Sequence, residues 1–124
     1  MERDLGENAI QCLRRLEAYD FDGMRAMFTR AATVWHNDGK GEQTIDEKVG
    51  QLKPLAGAFD ALRFEVTRQF RKGNEVLQQQ VLHLTRADRS RSEVHATVYF
   101  RFEGGLIDRM EECVCSVPAG GRPA

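Results

Sequence analysis

Residues Val94 to Val114 limit what this chain can become more tightly than any other stretch. Val94, Ala96, Val98, Phe100 and Phe102 alternate without exception with His95, Thr97, Tyr99, Arg101 and Glu103, the period of two that a half-buried antiparallel strand requires. Gly104-Gly105 follows, and adjacent glycines suit a tight hairpin because both central residues of a type I′ turn need positive φ. Leu106 to Val114 is then the return strand, and its register decides what faces the core. With a two-residue loop Glu103 faces Leu106, Phe102 pairs with Ile107, Phe100 with Arg109 and Val98 with Glu111, which turns Arg109 and Glu111 inward. A three-residue loop slips the pairing by one and turns Asp108, Met110 and Glu112 inward instead.

Upstream, the period is helical first. Leu5, Ala9, Cys12, Leu13 and Leu16 form one apolar stripe of a helix over Asp4 to Ala18. Asp20 or Asp22 offers the N-cap of a short second helix with Met24, Met27 and Phe28 on its apolar side. Thr33-Val34-Trp35 reads as a short strand, ended by the loop Asn37 to Gly41. Thr44-Ile45-Asp46-Glu47 is a capping box, and the third helix that it opens runs through Val49 and Leu52 to stop near Pro54. Leu62, Phe64, Val66 and Phe70 then share one face of a strand. Val76 to Thr85 is a further strand, apolar on both faces and hence covered on both. The expected fold is α+β: three N-terminal helices packed on a curved, mostly antiparallel sheet, a cone with a cavity.

Size and charge narrow the function classes. The chain has 124 residues, which fits a single domain over residues 1–117 with residues 118–124, rich in Gly and Pro, as a flexible tail. Eighteen Lys+Arg against 19 Asp+Glu leave a formal charge of −1, no electrostatic basis for nucleic acid or an anionic membrane as partner. No signal peptide and no apolar run of membrane-spanning length is present. Three cysteines fit a reduced, cytoplasmic protein. There is no phosphate-binding glycine loop and no spaced ligand set, so no cofactor and no metal is expected.

Asp20-Phe21-Asp22-Gly23, Ala32-Thr33-Val34-Trp35-His36 and Phe100 through Ile107, in this order of elements, resemble the nuclear transport factor 2-like superfamily, in its SnoaL-like and ketosteroid isomerase-like branch. The resemblance covers roughly Leu5 to Val114 and implies the cone fold, a ligand cavity, and a homodimer formed through the outer sheet face. Carried over from the ketosteroid isomerases, the general-base position falls on His36, the hydrogen-bonding tyrosine on Cys12 and the protonated aspartate on Val98. The classical triad is therefore absent, and only a base survives. The family pattern favours the register that turns Arg109 and Glu111 inward.

The resulting expectation is a SnoaL-like enzyme moving protons on a small, partly apolar, oxygenated molecule, with a non-catalytic ligand-binding or protein-association module as the alternative. His36 would transfer the proton; otherwise it is a histidine held in the Asn37-Asp38 turn. Arg109 and Glu111 would orient substrate; otherwise they form a structural ion pair. Cys12, Leu16, Trp35, Phe64 and Leu82 would line the cavity together with Val98, Phe100 and Cys113, and Gln78 and Gln80 would make one side polar. Cys113 and Cys115, with Cys12 near Cys113, read as a reduced cluster rather than a metal site. Leu77, Val81, Tyr99 and Met110 would carry the dimer contact on the outer face.

Overall fold

Asp4 and Asp20 each lay a carboxylate on the open amides of a helix start. The Glu7 amide donates to Asp4 Oδ1 at 3.1 Å at the head of α1 (Leu5–Glu17), and the Gly23 amide donates to Asp20 Oδ1 at 2.9 Å at the head of α2 (Phe21–Arg25). Gly23 has to be glycine: a Cβ there would run into the Asp20 carboxylate. The capping box closes as expected, Glu47 N to Thr44 Oγ1 at 3.1 Å and Thr44 N to Glu47 Oε1 at 3.0 Å, and opens α3 (Ile45–Leu52). Pro54 then starts a separate single turn, α4 (Leu55–Ala58), which the apolar pattern did not reveal. The structure is a computed structural model describing residues 4–116, so the expected tail at 118–124 lies outside the described residues.

Six strands make one sheet: β1 (Phe28–His36), β2 (Glu42–Thr44), β3 (Ala61–Lys72), β4 (Glu75–Thr85), β5 (Arg91–Glu103) and β6 (Leu106–Ser116), in the order β2-β1-β6-β5-β4-β3. Every neighbouring pair is antiparallel except β1 with β6. The helices cover the inner face, giving the α+β cone that the sequence implied. Leu5, Ala9, Cys12, Leu13 and Leu16 of α1 are buried against Val76, Val98, Phe100 and Ile107. Strand β1 is longer than Thr33–Trp35 because Phe28 to Ala32 pair irregularly along β6 without simple alternation, and β2 was not foreseen. Among the described residues no helix is long and apolar enough to cross a membrane.

Two β-bulges reverse the facing that a strict count of residues gives. The hairpin turn is the expected one, with Gly104 and Gly105 at φ 58° and 86°, and it pairs Glu103 with Leu106 and Phe102 with Ile107. Asp108 is then an extra residue, and beyond it Arg101 pairs with Arg109, Phe100 with Met110 and Val98 with Glu112. Arg109 and Glu111 consequently point outward, contrary to expectation, and Met110 and Glu112 point inward. The bulge is held by Asp108 itself, which accepts from Arg101 Nη2 at 2.8 Å and Thr29 Oγ1 at 3.0 Å. Those two bonds, the Arg101 one foremost, keep its carboxyl below the usual range.

In β3 the extra residue is Thr67, which turns Gln69 inward and Phe70 outward, so that Phe70 leaves its expected face and stands 63% exposed. Met110, placed by the sequence in the dimer contact, is instead a buried core residue, 7% exposed. Trp35 and Cys113 are likewise on the outer face, opposite Glu111 and Thr97, and do not line the cavity. Cys12 is buried beneath the sheet and Cys113 is exposed above it, so the expected approach of the two does not occur.

Candidate functional site

Between the helices and the inner sheet face lies a cavity of about 100 Å³. Cys12, Leu13 and Leu16 of α1, Met24 of α2, and Ile45, Lys48 and Leu52 of α3 form its helical wall; Phe64, Gln80, Leu82, Met110 and Glu112 are among the sheet residues opposite. The walls are apolar except where Lys48, Gln80 and Glu112 reach them. Of the residues expected to line a cavity, Cys12, Leu16, Phe64, Gln80 and Leu82 line this one. Val98 and Phe100 are fully buried in the core, and Gln78 stands behind Gln80. Complete burial pushes the Cys12 thiol up to about 12, which keeps it protonated and rules it out as a nucleophile at neutral pH.

His36 and Glu112 are register partners across the parallel β1–β6 pair, and so share the inner face. His36 Nε2 is in direct hydrogen-bond contact with Glu112 Oε1, and Lys48 Nζ lies 3.2 Å from the same nitrogen. Nε2 carries either one proton or one lone pair, and neither can serve both neighbours. Three titratable groups thus compete for one proton position. His36 Nδ1 is buried with no partner, and since a carboxylate can only accept, Nε2–H is the donor in the contact with Glu112. Burial holds Lys48 below the usual lysine value, although the Glu112 carboxylate pulls it back up. His36 itself sits behind this wall, while Glu112 and Lys48 reach the cavity.

The residues first singled out beside His36 lie elsewhere. Arg109 donates to Glu111 at 3.1 Å and to Thr33 Oγ1 at 3.0 Å, and pairs with Glu42, all on the outer face. Lys48 was missed and Glu112 stood only in the register not preferred, yet both had a signal. Ile45, Lys48, Val49 and Leu52 recur at i, i+3, i+4 and i+7, so Lys48 belongs to the buried stripe of α3. Ile107 and Met110 are three apart with two polar residues between them, the spacing of a bulged rather than a regular strand.

Comparison with known proteins gives the family and the fold. The family model described as SnoaL-like domain matches residues 9–110. No protein of curated function matches the chain by sequence. Among solved structures, AclR of Streptomyces galilaeus, a candidate hydroxylase, superimposes with a TM-score of 0.82 at 15% identity, covering 97% of this chain and 87% of that one. A candidate SnoaL-like polyketide cyclase from Shewanella denitrificans OS-217 gives 0.77 at 10% identity, covering 90% of each chain. A protein of ketosteroid isomerase-like fold from Catenulispora acidiphila DSM 44928, in complex with trimethylamine, gives 0.67 at 13% identity, covering 79% of this chain and 77% of that one.

Proposed function

We propose that this chain, which belongs to the SnoaL-like domain family, is an enzyme that moves a proton on a compact, partly apolar, oxygenated molecule held in its cavity. The observation that carries this reading is the His36–Glu112–Lys48 cluster at one end of an otherwise apolar space. Glu112 is the base that meets the ligand, taking a proton from carbon next to a polarised oxygen. His36 positions the Glu112 carboxylate and stabilises its charge through Nε2–H. Lys48 supplies positive charge at the developing oxyanion, in a space where low dielectric strengthens it.

The volume of about 100 Å³ lies below the roughly 300–1,000 Å³ of sites for drug-sized ligands. It supports a compact ligand rather than a multi-ring polyketide. The same small volume also favours a second reading, a non-catalytic module that binds a small molecule without turning it over.

A screen by native mass spectrometry with small cyclic ketones and lactones, followed by NMR of α-proton exchange in D2O, separates the two. Exchange that wild type accelerates and Glu112→Gln abolishes supports the enzyme. Binding without exchange in wild type supports the module. Self-association through the outer face is proposed alongside, now with Phe70 beside Leu77 and Tyr99 in one cross-strand row and without Met110. Sedimentation of Leu77→Asp tests it: an unchanged sedimentation coefficient removes that contact.

A further inference from the structure

Three glutamine amides run in single file from the helical layer to the cavity. Gln69 Nε2 donates to the Gly6 carbonyl at 3.0 Å and to Gln78 Oε1 at 2.8 Å; Gln78 Nε2 donates in turn to Gln80 Oε1 at 2.9 Å. Gln78 and Gln80 are 1% and 3% exposed. The direction of the file is imposed from outside it, because a backbone carbonyl can only accept. Gly6 therefore requires the nitrogen of Gln69 toward it, and each amide fixes the sense of the next. Gln80 ends the file with its carbonyl already taken. Its amide nitrogen finds no acceptor among the described residues, and Gln80 lines the cavity.

From this we infer that Gln80 is a specificity-determining donor for an acceptor oxygen of the ligand, and that Gly6, Gln69 and Gln78 are positioning residues that hold it in the donating sense. An amide nitrogen without a protein partner at a mostly apolar cavity wall can donate to a ligand carbonyl, and a hydrocarbon offers it nothing. Two features of the chain accord with it. The Thr67 bulge is what turns Gln69 inward to join the file. A Cβ at Gly6 would meet the Gln69 side-chain oxygen and push it from its place. The inference deepens the proposed function and rests on its cavity, but not on its proton transfer.

The test compares cyclohexanone with methylenecyclohexane, which replaces the carbonyl oxygen by a carbon of similar shape. Binding is read by NMR titration of the folded, 15N-labelled chain. Wild type is expected to prefer the ketone by about tenfold, the value of one hydrogen bond to a buried group, with the Gln80 side-chain amide resonances moving only with the ketone. Gln80→Met brings the ratio to about one, and Gly6→Ala, remote from the cavity, lowers it and shifts the Gln69 and Gln78 amide resonances. A wild-type ratio near one, or a preference that survives Gln80→Met, overturns the inference. Ketone preference without α-proton exchange leaves the inference standing and removes the proton-transfer reading. Exchange without ketone preference does the reverse.

Discussion

Glu111 and Glu112 are chain neighbours with opposite fates. Glu111 looks outward into a cluster with Arg109 and Glu42, its side chain 44% exposed. Glu112 looks inward to His36 and Lys48, 17% exposed. Each cluster joins carboxylate to cation, yet they are chemically unlike. Guanidinium keeps its charge at any accessible pH, water screens the outer pairs, and such pairs contribute at most about 1 kcal/mol. The Lys48 ammonium can give up a proton, and burial in the cavity wall favours its loss. Which side of the sheet a residue occupies, more than which residue types meet, separates a place for chemistry from a surface staple.

The largest expected effect comes from erasing the distinction. Inserting one alanine between Asp108 and Arg109 shifts the pairing beyond the bulge by one, turns Arg109 and Glu111 toward the core and abolishes the cooperative thermal transition seen by circular dichroism, since buried charges without partners cost several kcal/mol each. A melt that keeps its midpoint would mean that the facing of β6 does not depend on the length of the bulge. Next comes the pair of neutralisations. Glu112→Gln lowers α-proton exchange by about 10²- to 10⁴-fold, the range for losing a general base. Glu111→Gln leaves it within about threefold, because outer pairs are screened; equal losses would break the comparison.

Smaller still is the effect of Lys48→Met on stability, which has a definite sign. Burial lowers the folded-state pKa of Lys48 below its unfolded value of 10.5, against Glu112 and Asp38, which raise it, and with Lys40 adding to the lowering. At neutral pH the wild type therefore carries a desolvation penalty that Met removes, so the variant melts higher while losing activity. As pH rises through the folded pKa toward 10.5, Lys48 loses its proton in the native state first and wild-type stability gains on the variant. Melting curves from pH 7 to 10.5 should show the gap narrowing; a constant gap would place Lys48 in water.

Most of the fold was legible because it rests on local chemistry. Asp4, Asp20 and the Thr44–Glu47 box announce helix starts by side chains that reach only three residues. Strand β5 announces itself by thirteen residues without a bulge. The candidate site was legible at Cys12, Leu16 and Phe64 from uninterrupted apolar patterns, and at His36, Gln80 and Leu82 through the family resemblance. It failed at Arg109, Glu111, Trp35 and Cys113. For the two on β6 before the strand's end, Asp108 bonds to Thr29, 79 positions away, a long-range contact that local alternation does not encode. Trp35 shows the complementary difficulty: its face follows from its pairing with Glu111, which is known only once β6 is placed.

Asn74 and the Gly104–Gly105 turn fix one end of the β5–β6 pair, and Asn37, bonded through both side-chain atoms to Val114, fixes the other. Between those anchors the bulge at Asp108 sets which carboxylate, Glu111 or Glu112, faces the cavity. A three-base insertion just beyond the bulge shifts the rest of the strand face by one residue in one event. For chains of this architecture, length changes inside a strand are therefore a genetic route to new pocket chemistry on an old framework.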